Sequence, residues 1–285
     1  MTSVERTPKQ SLQEYGRGLA GGLLFSLPLL YTMEVWEAGF TMPPHRQLAF
    51  LVLALVLLLG YNRYAGLHPD SSWWEVAIDS VEEMGIGLLL SAVVLLLIGR
   101  LAPGQDAGEV VGRIVTEAVT VAIGVSIGTA QLGGDGNHQG LKSDRHGENT
   151  ASLAGLIALA FCGAVLFAAN VAPTEEIVAV GLEVPPLQLA VLGAATMLLS
   201  ALVLYYSDFR GSRRWAKAGG FGGVVRGTMI TYAVALVASA GILWLFGRFD
   251  GAAPRAIVGQ TVVLGVASAL GASAGRLLIQ GARNG

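Results

Sequence analysis

Long apolar segments alternate with short polar ones along almost the whole chain, and this alternation predicts membrane-spanning helices. A helix rises about 1.5 Å per residue, so about 20 apolar residues are needed to cross a hydrocarbon core of about 30 Å. Eight segments are predicted to be such spans: 17–40, 46–65, 76–100, 109–132, 151–172, 187–206, 222–247 and 255–280. The predicted fold is therefore an all-α polytopic membrane protein. Residues 1–16 form a polar N-terminal segment, and the polar stretch 133–150 is predicted to be a linker.

The two sides of this linker share a motif, T-x-E-x4-G-x3-P-P. Its residues in the first half recur 142 positions later as Thr174, Glu176, Gly181, Pro185 and Pro186. The segment 91–100 matches 239–248 at an offset of 148, and 122–128 matches 269–275 at an offset of 147. The pattern predicts two homologous four-helix repeats, 17–132 and 151–285. Because each repeat has an even number of spans, the two should insert in parallel orientation.

Composition and charge agree with a membrane protein and exclude several other classes. The chain is 53% hydrophobic and 13% charged, whereas a soluble domain carries about 25% charged residues. A net charge of −2 without a Lys/Arg run argues against nucleic acid as a partner. The single Cys162 excludes an internal disulfide and a cysteine metal site.

The distribution of Lys and Arg near the span ends predicts the orientation. Twelve lie on the side of the N-terminus and five on the other side. The positive-inside rule then places both termini and the linker in the cytoplasm. The expected location is the bacterial inner membrane.

Ionisable residues at membrane depth are the first candidates for function, because each costs about 2.5–3.5 kcal/mol on insertion scales. Pro173 should end a helix, after which Thr174 can cap a second short helix that carries Glu175 and Glu176 and stops at the Pro-Pro pair. Pro28, upstream of Glu34, predicts a similar break in the first span. Two matching breaks indicate a binding site that lines a cavity, with Glu34 and Glu176 as ligands. The alternative is two loops on the outer face, with the glutamates in water.

Other acids extend this candidate site. Asp79, Glu82 and Glu83 share a helix face in span three, where a cation or a proton would have to neutralise them. A helix end facing water is the alternative. Arg226 occupies the matching stretch of the second half and could pair with Asp79 or Glu83.

Glu117 is a single acid about 12 Å along span four from its outer end. The outer half of the span set is acidic, and clefts of one charge concentrate the opposite ion. The complete predicted set for ion binding or a proton path is Thr32, Glu34, Glu37, Asp79, Glu82, Glu83, Glu117, Thr174, Glu175 and Glu176.

Two small-residue motifs are predicted to serve packing. They are Gly124-x3-Gly128 and Gly271-x3-Gly275, and they are expected to lie where spans four and eight meet each other. The four histidines lie near span ends or in the linker, which argues against haem, zinc-protease and serine-hydrolase sites. No cofactor and no enzymatic activity are predicted.

With the repeat, the Pro-Thr-Glu-Glu motif at 173–176 and the two Pro-Pro pairs, the chain resembles an uncharacterised family of bacterial integral membrane proteins of unknown function. It is also loosely similar to the cation/calcium exchanger superfamily, whose repeats carry an acidic motif at a helix break. Those repeats have an odd number of spans and are inverted, unlike the two halves predicted here. This second resemblance therefore implies an acidic cation site and nothing more specific.

Together these patterns predict an inner-membrane cation transporter or channel that is coupled to protons. Its expected partners are the lipid bilayer and cations or protons, and the sequence leaves a homo-oligomer open. The alternative is a non-transporting scaffold, sensor or assembly factor whose acids bind a partner protein. The sequence does not identify the ion or separate a channel from a transporter.

Overall fold

The computed structural model describes residues 8–30, 32–65, 72–131, 153–211 and 213–281. These residues form ten α-helices and no strand. In chain order the helices are α1 (Pro8–Leu30), α2 (Met33–Thr41), α3 (Pro44–Ala65), α4 (Trp73–Leu97), α5 (Ala107–Gln131), α6 (Leu153–Val171), α7 (Glu175–Glu183), α8 (Pro186–Gly211), α9 (Arg213–Leu245) and α10 (Pro254–Gly281). The predicted all-α fold is confirmed. The predicted linker 133–150 lies outside the described residues.

Several helix ends follow directly from local sequence. Four helices begin at a proline, which loses nothing there because the first N–H groups of a helix have no internal acceptor. Ser72 and Glu75 form a reciprocal capping box at the start of α4. After α4 and α9 the chain turns through Gly99 and Gly247, whose φ angles are 73° and 74°. A residue without a Cβ adopts this left-handed conformation most readily.

Seven described helices are long and apolar enough to cross a membrane, namely α3, α4, α5, α6, α8, α9 and α10. They match seven of the eight predicted spans. The first predicted span, 17–40, is not one helix: α1 ends at Leu30 and α2 starts at Met33. The helix α1 also begins at Pro8, inside the segment that was predicted to precede the spans. Its polar N-terminal part joins the apolar part without a break.

The helices form two groups, each arranged around its last member. In the first group α1, α2, α3 and α4 all pack against α5, and in the second α6, α7, α8 and α9 all pack against α10. The best apolar window of α5 is 78% buried, whereas that of α8 is 22% buried. The helix α5 is therefore the most enclosed candidate span, and α8 exposes several of its leucines, as a lipid-facing helix would. Whether the two groups arose by duplication stays a prediction.

Close glycine contacts fix the packing inside each group. A Cβ on Gly128 of α5 would lie 2.6 Å from the Cα of Gly21 on α1, and one on Gly275 of α10 would lie 3.3 Å from the Cα of Gly163 on α6. The two small-residue motifs thus serve packing, but the prediction that α5 and α10 meet through them was wrong. Each motif contacts the first helix of its own group.

The two groups meet mainly through α6, which packs against α3 and more lightly against α1 and α5. The thiol of Cys162 donates a hydrogen bond to the Leu57 carbonyl oxygen at 3.3 Å. At one end of the molecule, Arg46 at the start of α3 donates two hydrogen bonds, 2.6 and 2.7 Å long, to the carboxylate of Asp250 after α9. This pair holds the pKa of Asp250 below its ordinary value.

Candidate functional site

The two short helices lie on one face of the molecule, together with the α4–α5 and α9–α10 connections. The guanidinium carbon of Arg100 lies 3.8 Å from the ring centroid of Trp36 on α2. Arg248 donates hydrogen bonds to Glu175 on α7, at 3.0 Å, and to the Pro173 carbonyl oxygen. This face, which we call the short-helix face, is where the sequence predicted the outer acids.

The helix breaks occur where they were predicted. The helix α6 ends at Val171, before Pro173, and the nine-residue α7 carries Glu175 and Glu176 in its first turn. Thr32 and Thr174 occupy the N-cap positions of α2 and α7, but neither side chain makes a cap hydrogen bond. The Thr174 hydroxyl donates to the Val171 carbonyl oxygen at 2.9 Å instead. The Thr174 hydroxyl therefore caps the C-terminal end of α6 rather than the N-terminal end of α7.

The outer glutamates do not assemble into one site. Glu37, Glu175 and Glu176 are exposed, and Glu34 is half-buried. Because α2 packs against α5 and α7 against α10, Glu34 and Glu176 belong to separate helix groups. Over the described part of the chain, no three His, Cys, Asp or Glu side chains are close enough to hold a metal ion. The role of these glutamates as ion ligands stays a prediction.

Glu117 has a different environment. It lies in the enclosed helix α5 with no exposed surface. Neither carboxylate oxygen has a hydrogen-bond partner among the residues that the structure describes. The neighbouring hydroxyls of Thr116 and Thr120 donate to carbonyl oxygens of their own helix, those of Gly112 and Glu117. A buried carboxyl without a partner is costly, which marks Glu117 as a candidate for binding a proton or cation.

Glu83 is the second buried acid, and it belongs to a polar cluster that joins three helices. The Asn62 amide nitrogen donates to the Glu83 carboxylate at 2.7 Å and to the Ser80 hydroxyl at 3.1 Å. The Ser126 hydroxyl donates to the Asn62 amide oxygen at 3.0 Å. All four side chains are at most 9% exposed. We call this set, Asn62, Ser80, Glu83 and Ser126, the amide–carboxylate cluster.

The other acids of α4 are more accessible than Glu83. Asp79 is half-buried, and Glu82 is exposed and accepts a hydrogen bond from the Tyr15 hydroxyl at 2.6 Å. Arg226 is exposed on α9. Ion pairs between described side chains include Arg46–Asp250, Arg113–Glu109 and Arg248–Glu175. The pairing of Arg226 with Asp79 or Glu83 that the sequence suggested stays a prediction.

The two buried acids, Glu117 on α5 and Glu83 on α4, lie at different depths in the first helix group. Glu83 is linked through Asn62 to Ser126, which lies nine residues beyond Glu117 on α5. Nine residues correspond to about 13 Å of helix, a little under half the thickness of the hydrocarbon core. The first helix group thus contains two separate buried carboxyls, one nearer the short-helix face and one nearer the opposite end.

The sequence predicted both acids as candidate site residues, but it did not predict Asn62, Ser80 or Ser126. Asn62 stands beside Arg63 near the end of an apolar run, so it resembled an ordinary polar residue at a span end. The two serines are small polar residues within apolar runs. Only the packing of α3, α4 and α5 shows that the three side chains surround one carboxyl.

One comparison with known proteins gives a match. The model of the family described as "Putative integral membrane protein (DUF2391)", a family of unknown function, matches residues 14–279. No curated protein and no solved structure matches the chain.

Proposed function

We propose that this chain, which belongs to the integral membrane protein family DUF2391, is a cation transporter or channel, coupled to protons, of the bacterial inner membrane. Its termini lie in the cytoplasm, as the distribution of Lys and Arg favours. Its partners are the bilayer and the transported ions. It carries out transport rather than catalysis and uses no cofactor.

The observation that carries this proposal is the fully buried carboxyl of Glu117 on α5. Ionisable groups at membrane depth are rare because they are costly, and those present usually belong to ion pathways or proton relays. Leu264 occupies the matching position of the second half, so packing at this point does not require an acid. A carboxyl without a partner is free to take up and release a positive charge.

The acids of the first helix group suggest an order for the path. Glu34 lies half-buried on the short-helix face, and Glu117 lies one level deeper. Glu83 on α4 lies at the level of Ser126, which is about 13 Å further along α5 than Glu117. Asp79, half-buried, lies one helical turn from Glu83 towards the start of α4. Ions would therefore pass through the first helix group rather than between the two groups.

The test is ion flux in proteoliposomes that contain a pH-sensitive dye. Na⁺, K⁺, Ca²⁺, Mn²⁺ and Mg²⁺ are supplied in turn to the wild-type protein and to the Glu117→Gln variant. We expect one cation to drive a pH change in the wild-type vesicles and at least a tenfold slower change in the variant. A positioned group that accepts and releases protons typically accelerates proton transfer by about 10²–10⁴-fold.

Glu183→Gln is the matched control. Glu183 is an exposed acid at the end of α7, outside the proposed path, so its variant should transport like the wild type. Equal flux in the Glu117→Gln and wild-type vesicles would remove Glu117 from the path. No response of the wild type to any cation would contradict cation transport itself.

The exposure of the outer acids favours a second candidate function. Glu37, Glu175 and Glu176 face outward, and the side chain of Glu175 is 72% exposed although it pairs with Arg248. Such groups could bind a partner protein, as in a scaffold, sensor or assembly factor. Cysteines at 34 and 176, in a variant without Cys162, separate the two functions. Fast labelling of both by an impermeant reagent favours the partner, and slow labelling at 34 favours an ion path.

A further inference from the structure

We propose that the amide–carboxylate cluster of Asn62, Ser80, Glu83 and Ser126 is a binding site for a small monovalent metal cation of the Na⁺ class. The proposal rests on the proposed function, because it identifies the transported cation and its site. Four buried side chains from α3, α4 and α5 meet there, and each carries an oxygen. Carboxylate, hydroxyl and amide oxygens are the ligands that hard cations prefer.

The charge of the cluster selects a monovalent cation. Glu83 is the only acid among the four, and the other three side chains are neutral. Asp79 and Glu82 act on Glu83 through their charge, but they are half-buried and exposed respectively, so solvent screens them. One positive charge therefore balances the site, whereas a divalent ion would leave a net charge in an apolar interior, which is strongly unfavourable. The described residues also lack any group of three acids, histidines or cysteines of the kind that divalent and transition metals use.

The geometry shows where the cation would lie. The Asn62 amide nitrogen lies within 3.1 Å of both the Glu83 carboxylate and the Ser80 hydroxyl, and its hydrogens direct positive partial charge at them. Rotation of the amide by half a turn exchanges its nitrogen for its oxygen, and this torsion is soft. The cation then takes the place of the amide protons and is bound by oxygens of Asn62, Ser80 and Glu83. The amide nitrogen now faces Ser126 and donates to its hydroxyl oxygen, so Ser126 orients Asn62 in both states. The Ser80 proton is already donated to the Val76 carbonyl oxygen, so its lone pairs are available.

The second helix group supplies an internal comparison. At the repeat offsets, Asn62 corresponds to Leu204, Glu83 to Thr231 and Ser126 to Ser273. The hydroxyls of Thr231 and Ser273 donate to Gly227 and Ala269 on their own helices, both at 2.8 Å. The acid and the amide are thus specific to the first group. The packing around α10 is achieved without them, which points to a ligand rather than to stability.

The test measures binding directly, with the full chain purified in detergent. Equilibrium dialysis with radioactive Na⁺ gives the number of ions bound, and thermal unfolding in NaCl against choline chloride at equal ionic strength gives stabilisation by bound Na⁺. We expect one Na⁺ per wild-type chain and none for Glu83→Gln. Loss of the Ser126 hydroxyl, which orients Asn62, should raise the half-saturating Na⁺ concentration at least about tenfold.

Ser273→Ala is the matched control for Ser126→Ala, since it removes a buried serine at the corresponding place on α10. It should bind Na⁺ like the wild type. Equal Na⁺ binding by the wild type, Glu83→Gln and Ser126→Ala would overturn the site, as would tighter binding of Ca²⁺ than of Na⁺. Because Ser126→Ala keeps the acid, it remains informative if Glu83→Gln does not fold.

The flux test of the proposed function and the binding test of the Na⁺ site can fail independently of each other. Transport that depends on Glu117 without Na⁺ binding at the cluster overturns this site but leaves the proposed function standing. Na⁺ binding that depends on Glu83, in a protein that moves no ion, supports the site and overturns the transport function.

Discussion

Glu117 combines complete burial with a carboxylate that has no hydrogen-bond partner in the described part of the chain. An unsatisfied buried polar group costs about 1–3 kcal/mol, and more when it is charged. We therefore expect Glu117→Leu to stabilise the protein by about 1–3 kcal/mol while it abolishes transport. Leucine suits the site in size, since Leu264 is fully buried at the matching position of α10. Thermal unfolding in detergent measures the change.

The comparison variant is Glu117→Gln, which removes the charge but keeps a polar head group in the same place. It should gain less stability than Glu117→Leu. If leucine instead lowers the unfolding temperature, the carboxyl is satisfied in the native protein by a bound ion or water and does not destabilise the fold.

Single residues show what a sequence can and cannot predict about a site. Glu117 was predicted because an acid in the middle of an apolar run is conspicuous without any structure. Asn62 was not, because its importance depends on two other helices that place Ser126 and Glu83 beside it. Thr174 was placed correctly at an N-cap, yet its hydroxyl bonds backward to Val171. Local sequence predicted the position, but not whether the hydroxyl would accept from an N–H of α7 or donate to a carbonyl oxygen of α6.

The helices themselves were largely predictable, because apolar length and proline positions determine where they start and stop. The exception is the extent of the first span, predicted as 17–40, because α1 already begins at Pro8 and only part of it is apolar. Partners of helices were harder to predict. The glycine motifs of α5 and α10 contact α1 and α6, not each other, because small residues allow a close approach without specifying the helix that approaches.

Glycine contacts also hold the short helices against the central helices. A Cβ on Gly39 would lie 2.6 Å from the Cα of Arg113, and one on Gly181 would lie 2.7 Å from the backbone nitrogen of Gln260. Backbone atoms cannot move aside as a side-chain end can. We expect Gly39→Ala and Gly181→Ala each to destabilise the protein by about 1–3 kcal/mol, the usual effect of overpacking, as measured by thermal unfolding.

Gly85→Ala is the control for this pair. Gly85 is exposed on α4, and an added Cβ there meets no atom within 4 Å. Alanine is a better helix former, so this variant should be unchanged or more stable by about 0.5–1 kcal/mol. A similar loss of stability in all three variants would mean that glycine flexibility, rather than close packing, is what these positions require.

The two helix groups are joined asymmetrically across the whole molecule. The helix α6 packs against α3, and the Arg46–Asp250 ion pair joins the two groups at the short-helix face. The residue that matches Arg46 in the second half is Gln188, so this pair has no counterpart there. A motion between the groups would have to break or stretch the contact between Arg46 and Asp250. A stronger Arg46–Asp250 contact would therefore restrict motion between the two groups more.

Protonation of Asp250 should break this contact, and the direction of the pH effect follows from its pKa. The hydrogen bonds and the charge of Arg46 hold the folded-state pKa of Asp250 below its ordinary value, with a smaller effect from His45. The unfolded-state value is about 3.9, so the stability from the pair is complete above this pH and disappears as the pH falls through the folded-state pKa.

We expect wild type to unfold at a higher temperature than Asp250→Asn between pH 5 and 7, by a constant margin. Below about pH 4 the margin should shrink progressively until the pH has passed the folded-state pKa. Added salt should also narrow the margin, because the Asp250 carboxylate is 61% exposed. A margin that does not narrow at any pH below the unfolded-state value would show that Asp250 contributes through packing or its neutral hydrogen bonds. In that case the ion pair would not be what holds the two groups together at the short-helix face.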